Sequence, residues 1–521
     1  MKQMLPSILS SIIILSRFAS AEKAFIQDSA YENGEYGPGP TQSFQAVDYK
    51  PVQWNYVLPT DNSTELKVST GLIFSAPRGA DVAQPGGVIS NLDGTMVYSA
   101  AEYGQTMTFM KVQYNETDHI LLWTGQFLSA GYGYGRNLLL NQKYEVVANF
   151  TTDLDGVLAD FHDTFITAEG TAIMTAYATV PRDLTPYNGP NPGFIVGGVF
   201  QEIEIETGHV LFMWNSLDHV DPTEGYADPG PTGGSTESPW DYFHINSVEK
   251  DSAGNYLISA RHTHAVYYID GQSGEIIWRL NGKKSDFTMT TGTPFTWQHD
   301  ARWQGENVIS LFDNAASTWQ EDGETARGIV LSIDTESKTA TLIEELFPFN
   351  RMPSPSQGNM QVMENGNMMV GWGKNPYFSE YDADGNILYS VHFGIGDVQA
   401  YRAYRFDWTA RPSTRPTIGL KAENSVVDVY ASWNGATEVV IWELFASTAE
   451  APTEMVSLTT VPKTDFETTI PYTGEVDYAY FQIAPKNADG QYLAYSDLLG
   501  LDGTRIVGPA SQVVDAPPLN A

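Results

Sequence analysis

Cysteine is absent from all 521 residues. That absence excludes disulfides, thiolate metal sites and cysteine nucleophiles, so stability must come from core and sheet. Basic residues are scarce: 28 Lys and Arg face 63 Asp and Glu, a formal net charge of −35. Phosphate is bound largely through Lys and Arg, so this balance argues against nucleic acid and anionic membrane as partners. Helical periodicity is missing as well, with no segment sustaining apolar residues at i, i+3, i+4 and i+7 for several turns. The N-terminal apolar run, from Ile8 to Leu15, is far shorter than the roughly 20 residues of a spanning helix. With Lys2 ahead of it and Ala19-Ser20-Ala21 behind, it reads as a secretory signal peptide over 1–21. The expectation is a protein secreted or held in the secretory lumen, with no membrane anchor once the signal is removed. Sequons at Asn62, Asn115 and Asn149 fit glycosylation there.

What is present is strand material. The chain is 42% hydrophobic and 12% aromatic, enough to bury one large domain and a smaller one. Short β-branched and aromatic runs follow Gly-containing turns, as in NLDGTMVYSA (91–100), DSAGNYLISAR (251–261), DGQSGEIIWRL (270–280) and DADGNILYSVHF (384–393). The units recur every 40 to 60 residues, about the rhythm of a propeller blade. One whole blade is legible over 241–280, as YFHINSVEK, NYLISARHT, AVYYID and GEIIWRL. A β-sandwich or solenoid is the competing all-β reading, and the long period favours a propeller of six blades. After the Pro-rich stretch Arg411–Pro416 the blade turns stop, and alternating strands such as VVDVYASW and EVVIWELFAS suggest an immunoglobulin-like or fibronectin-like sandwich. The expected divisions are 1–21 signal, 22–69 N-terminal extension (a strand for, or wrap around, the first blade), 70–411 propeller, 412–505 C-terminal sandwich and 506–521 tail.

Against this acidic background one region gathers cationic groups. DYFHINS, ISARHTH and FTWQHDA carry His244, Arg261 and His299 near the ends of successive strands. His244 and Asn246 share parity in an extended strand and so one face. An Arg fork beside histidines and an amide is a cradle for a tetrahedral oxyanion. His162, in DFHDTF, is a further member, and in a propeller His162, His244 and His299 would converge near the central channel. A lone histidine is more often a half-buried structural one, but several at equivalent positions speak for a site. His262 and His264 form an H-x-H that could be half a zinc site; if Arg261 faces the channel, alternation turns both away and makes them structural. His119, His209 and His219 sit in turns, strand ends or a polar loop, and His392 has no polar companion. Trp240, Trp297, Trp319 and Trp372 are candidate walls for an aryl ring, or blade packing. The loop from Thr223 to Pro239, ahead of His244, is a lid or a plain insertion. No HExxH, EF-hand loop or nucleophile elbow is present. No feature calls for an organic cofactor or a metal, a structural Ca²⁺ in an Asp-rich turn aside.

Several segments together resemble the PAPS-independent aryl sulfotransferase family, and its fungal secreted branch in particular: DFHDTFITAEGTAIMTAY (160–177), WDYFHINSVEKDSAGNYLISARH (240–262), IDGQSGEIIWRLNG (269–282), FTWQHDARW (295–303) and QGNMQVMENGNMMVGWGKNPYFSEYDADG (357–385). The resemblance covers most of 70–410. It implies a six-bladed propeller with an added sandwich, and transfer of a sulfuryl group from a phenolic sulfate to a phenol through a transiently sulfurylated histidine. The position matching that nucleophile is His299; His162, His244, Asn246 and Arg261 match the family's other sulfate-contacting positions. The implied partners are small phenolic molecules and the implied kinetics ping-pong. The sandwich lies at the C-terminus and there is no cysteine, whereas the bacterial branch places its sandwich differently and carries a disulfide. Two alternatives stay open: a propeller repurposed as a cyclase or hydrolase for a phenolic or polyketide secondary metabolite, and a non-catalytic binding scaffold. A scaffold would leave the His/Arg cluster dispersed or buried.

Overall fold

The computed structural model describes residues 22–61, 63–423, 426–449, 454–474 and 478–507. The expected signal peptide at 1–21, the sequon at Asn62 and the tail from 508 onward lie outside the described residues.

The described chain is mostly β, and its turns show why. In 251–255, Asp251 Oδ1 accepts from the Ala253 and Asn255 amides at 2.9 and 3.0 Å while Gly254 takes a φ of +86°. Asp382 and Gly385 repeat the device, the carboxylate accepting from Asp384 and Asn386. A local carboxylate satisfies the turn amides and glycine supplies the left-handed step, so each unit leaves two strands antiparallel side by side.

Six antiparallel sheets result among the described residues. The first comprises Leu72–Arg78, Val88–Ser90 and Met96–Ser99, completed by Gln399–Phe406 from the end of the series. The second spans 106–150, the third 164–215, the fourth 245–280, the fifth 299–346 and the sixth 359–392. The fourth consists of the four strands anticipated over 241–280, in consecutive order. The leading strands touch in series: Thr106–Tyr114 on Thr164–Ile166, then Ile245–Lys250, His299–Trp303, Asn359–Val362 and Gln399–Phe406, which returns to Thr106–Tyr114. Between sheets the space is filled by aromatics; Phe200, Trp214, Phe243 and Tyr256 join the third to the fourth. Each such buried ring contributes about 1.5–3 kcal/mol.

Four charged residues tie the leading strands together from inside. Asp163, next to His162, receives Arg302 and Arg402, each at 2.8 Å, and the Val248 amide at 2.7 Å. Asp300, next to His299, pairs with Arg302 at 2.9 Å and accepts from the Met360 amide at 3.2 Å. Arg302 and Arg402 outweigh burial and hold the Asp163 carboxyl below its ordinary range. Charges this deep persist only when paired and fully hydrogen-bonded.

The N-terminal extension does not simply wrap the first sheet. Phe25–Ile26 pairs in parallel with Asn55–Leu58, which adds to the edge of the sixth sheet along Ile387–His392. Gln42 meanwhile donates to the Gly94 carbonyl of the first sheet at 2.8 Å. His392, read as lacking a polar companion, meets Glu32 of this extension at 3.0 Å and stacks on Tyr377. Beyond residue 416 two further sheets, one of Thr417–Glu423, Val426–Ser432 and Thr468–Tyr472, the other centred on Ile441–Ser447 and Tyr480–Lys486, share a core of Val429, Trp442, Leu444, Ile470 and Phe481.

Candidate active site

The sequence-selected histidines meet in one place because of where the loops enter the leading strands. His162 lies two residues before Thr164–Ile166, His244 one before Ile245–Lys250, and His299 opens His299–Trp303. The backbone there is bent to suit. His244, Trp297, Asp300 and Gln357 all have φ between +56° and +67°. Left-handed non-glycine residues cost about 1–2 kcal/mol each and cluster where function over-determines them.

His162, His244, Arg261, His262 and His299 line a cavity of about 920 Å³. The loop ahead of His244 forms one wall, through residues 226–232 and 237–239, and Trp319 and Tyr401 stand on others. The cluster is gathered rather than dispersed, and its members are buried, His162, His244, Arg261 and His299 each being at most 5% exposed. His162 and His244 meet edge to face with centroids 4.8 Å apart, and His244 stacks on His262 at 4.5 Å. Each of the first two is backed by a carboxylate at Nδ1: His162 by Asp160 in a very short contact, His244 by Asp241 at 2.5 Å. Burial, with His162 and Arg261 alongside, holds the His244 imidazole well below its ordinary pKa.

His299 is arranged differently. Its Nδ1 lies 2.8 Å from Asn314 Oδ1 and 3.1 Å from the Trp297 carbonyl. The Asn314 amide nitrogen is given to the Ser354 and Gln357 carbonyls, at 3.1 and 2.9 Å, which fixes its oxygen toward the ring. Facing two acceptors, Nδ1 must carry the proton, and the lone pair therefore sits on Nε2. Nε2 meets only the Gln357 amide, at a long 3.3 Å. Burial first and the Arg261 charge second press the His299 pKa well below its ordinary value, so the ring stays neutral.

Arg261 is buried between Trp297 and Trp319, its guanidinium carbon 5.6 Å from each ring centroid. It gives one nitrogen to the Pro355 carbonyl at 2.7 Å and lies 3.1 Å from His262 Nε2, while its Nε has no partner. Desolvation lowers its pKa to about 10, still cationic at neutral pH. Arg402 and Arg405, comparably deep, each hold a carboxylate, whereas Arg261 forms no ion pair among the described residues.

Three expectations need correction. His244 and Asn246 do not share a strand face, because His244 precedes the strand in a left-handed conformation and the pairing slips between Ile245 and Ser247. Asn246 is buried away from the cavity lining and donates to the Gln298 carbonyl at 2.7 Å. His262 does not turn away: the strand ends at Ala260, Arg261–Thr263 is a 3-10 turn, and alternation no longer applies. His264, left-handed at +51°, stacks on Tyr226 behind it. Of the tryptophans, Trp240 and Trp319 line the cavity, Trp297 packs behind Arg261, and Trp372 is core, donating to Ser379. Asn314, Gln357 and Tyr401 were missed; neutral or distant in sequence, they gave no charge signal.

Asp241, His244 and His262 bring three ligand atoms within 4.8 Å of one another. They fit a metal poorly. The two rings stack at 25°, so their lone pairs run side by side, and His262 has Nδ1 committed to the Asp241 carbonyl with Arg261 against Nε2. The set suits an anion held by Arg261.

Distant likenesses among solved structures include a protein of unknown function from Bacteroides caccae, 13% identical over 64% of this chain and 98% of its own, with a TM-score of 0.36. A Lactobacillus plantarum protein is 9% identical over 78% and 100%, TM-score 0.31. A virginiamycin B lyase from Staphylococcus aureus, solved with quinupristin, is 10% identical over 72% and 95%, TM-score 0.26. No curated protein matches the chain. Residues 113–394, more than half the chain and the part that carries all four predicted catalytic side chains, match the model of the arylsulfotransferase (ASST) family, and to that family the chain belongs.

Proposed function

We propose that the protein is a PAPS-independent aryl sulfotransferase that moves a sulfuryl group from a phenolic sulfate to a phenol through His299. The observation that carries this reading is how His299 is held: a buried imidazole whose Nδ1 faces the Asn314 Oδ1 and Trp297 carbonyl acceptors, from which a proton on Nδ1 and a lone pair on Nε2 follow. Nε2 attacks sulfur, an N–S bond forms, and the S–O bond to the aryl group breaks. The departing aryloxide takes a proton from His162, which is seated on Asp160. Arg261 and the Gln357 amide, already beside Nε2, bind the sulfuryl oxygens as charge builds. In the second half an acceptor phenol returns a proton to His162, its oxygen attacks sulfur, and His299 recovers its lone pair. His244 lines the same cavity, and Asn246 acts indirectly, fixing the Gln298 carbonyl next to His299. The covalent histidine makes the kinetics ping-pong.

The same reading takes the six sheets over 70–411 as blades of a six-bladed propeller; the return of Gln399–Phe406 to the first and second sheets supports it. The two sheets over 412–505 would be the sandwich, and the protein would act outside the cytoplasm, with glycans on Asn115 and Asn149, both exposed.

The test is sulfuryl transfer from 4-nitrophenyl sulfate to phenol. Acceptor-dependent nitrophenolate release, lost in His299→Ala, is expected; equal release by both proteins, or none from a folded wild type, overturns it.

A further inference from the structure

Arg78 ends the strand Leu72–Arg78 and lines the same cavity as the histidines, on the first sheet. Its neighbours are apolar: the guanidinium carbon lies 5.8 Å from the Phe127 ring centroid, and Phe127 packs at 5.2 Å on Phe161, which in turn stacks on His162. One guanidinium nitrogen donates to Gln399 Oε1 at 2.9 Å, and Nε is buried with no partner. Among the described residues it forms no ion pair. The nearest influential carboxylate, Asp397, is spent on the Ala80 amide and the Gln399 side chain. In a chain with more than twice as many acids as bases, a desolvated arginine without a carboxylate is costly unless a ligand brings one.

Two further polar atoms at this end of the cavity lack partners, Tyr401 Oη and Gln357 Oε1. Arg78 Nε and Tyr401 Oη can each donate to an acceptor on the ligand, whereas Gln357 Oε1 can only accept and is left for a donor such as a phenol hydroxyl. The spacing to the reaction centre is short: Arg78 and Gln357 Nε2 both donate to Gln399 Oε1, the latter at 2.7 Å, and the Gln357 amide reaches His299 Nε2. Phe127, Phe161 and Tyr401 line the same cavity and offer it aromatic walls for an aryl ring. Arg261 binds the sulfuryl group at one end, which leaves Arg78 for a second anion at the other.

We propose that Arg78, with Tyr401, anchors a carboxylate on the aryl substrate, so that the enzyme selects phenols and aryl sulfates that are also carboxylic acids. This rests on the sulfotransferase reading for the turnover but not for the binding. The experiment therefore has two arms. Calorimetric binding of 4-hydroxybenzoate and of its methyl ester is measured on the full protein and on Arg78→Met, and the same pair serves as acceptors with 4-nitrophenyl sulfate. The ratio of acid to ester is taken within one protein, so partial misfolding of a variant does not distort it. Wild type should favour the acid by roughly 10- to 100-fold, as expected of a charge-assisted pair in a dry site. In Arg78→Met the ratio should fall to about one, and Arg78→Lys should restore part of it. Wild type binding acid and ester alike, or a preference that survives in Arg78→Met, overturns the anchor. Preferential binding of the acid without any transfer would keep the anchor and defeat the sulfotransferase instead.

Discussion

Position 314 decides what His299 can do. A carboxylate there would stabilise an imidazolium, whereas the Asn314 amide oxygen orients the ring and leaves it neutral. Replacing Asn314 by Asp should raise the His299 pKa, so the protonated, non-nucleophilic ring persists to higher pH and the acid limb of the kcat/KM profile moves upward. Asn314→Leu, which frees the tautomer, should cost at least about 100-fold in kcat at every pH. A pH–rate profile that is unchanged in Asn314→Asp would show that this contact does not tune the nucleophile. At this scale the sequence displayed the histidines and the arginine, since His162, His244, Arg261 and His299 stand out against an acidic chain. It hid Asn314 and Gln357, which act through amides, and Arg78, more than eighty residues upstream of the nearest site histidine. It misled at His262, where a single 3-10 turn broke the alternation on which its direction was inferred.

Elements place these residues through close approaches that only some side chains permit. Gly358 follows the left-handed Gln357, has a φ of +106°, and its amide is given to the Tyr401 carbonyl at 3.0 Å. A Cβ there would meet the Phe312 ring at 2.4 Å. Phe312 is fully buried between the fifth and sixth sheets and cannot retreat. Gly358→Ala should therefore destabilise the protein by about 2–4 kcal/mol, from left-handed strain plus overpacking. A lowered melting temperature with reduced turnover is expected, and an unchanged one would mean that the turn repacks freely. The Asp-Gly turns made the strand units legible, because the turn chemistry is local. The two-residue parallel strand Phe25–Ile26 was not, since its partner is chosen by tertiary contact with the sixth sheet.

At the scale of the whole molecule, segments distant in sequence pair with one another, and the buried charges record this. Gln399–Phe406 pairs with Leu72–Arg78, across a separation no local pattern encodes, and carries Arg402 to Asp163. Beside that network lies Glu249, whose carboxylate accepts from the Trp303 amide. Burial, beyond what Arg302 offsets, raises its pKa from 4.5 to about 7. The folded protein thus keeps a proton that the unfolded chain releases: the associated stability is full below pH 4.5 and is lost as pH rises through 7. Glu249→Gln, which cannot ionise, should match wild type near pH 4.5 and be more stable at pH 8, by about 1–3 kcal/mol. Denaturant melts at the two pH values read this directly; a variant less stable at pH 8 would mean the charge is wanted. Five buried histidines, His244, His262, His264, His299 and His392, pull the other way, because their depressed values cost stability as pH falls below 6.5.

The covalent histidine is the claim on which the rest depends. A rapid-mixing experiment with 4-nitrophenyl sulfate and no acceptor, followed by intact and peptide mass analysis of the quenched protein, tests it most directly. A burst of one nitrophenolate per protein, with one sulfuryl group on the peptide containing His299 and its discharge on adding phenol, is the predicted result. A burst without an adduct, or an adduct on any other residue, would contradict it.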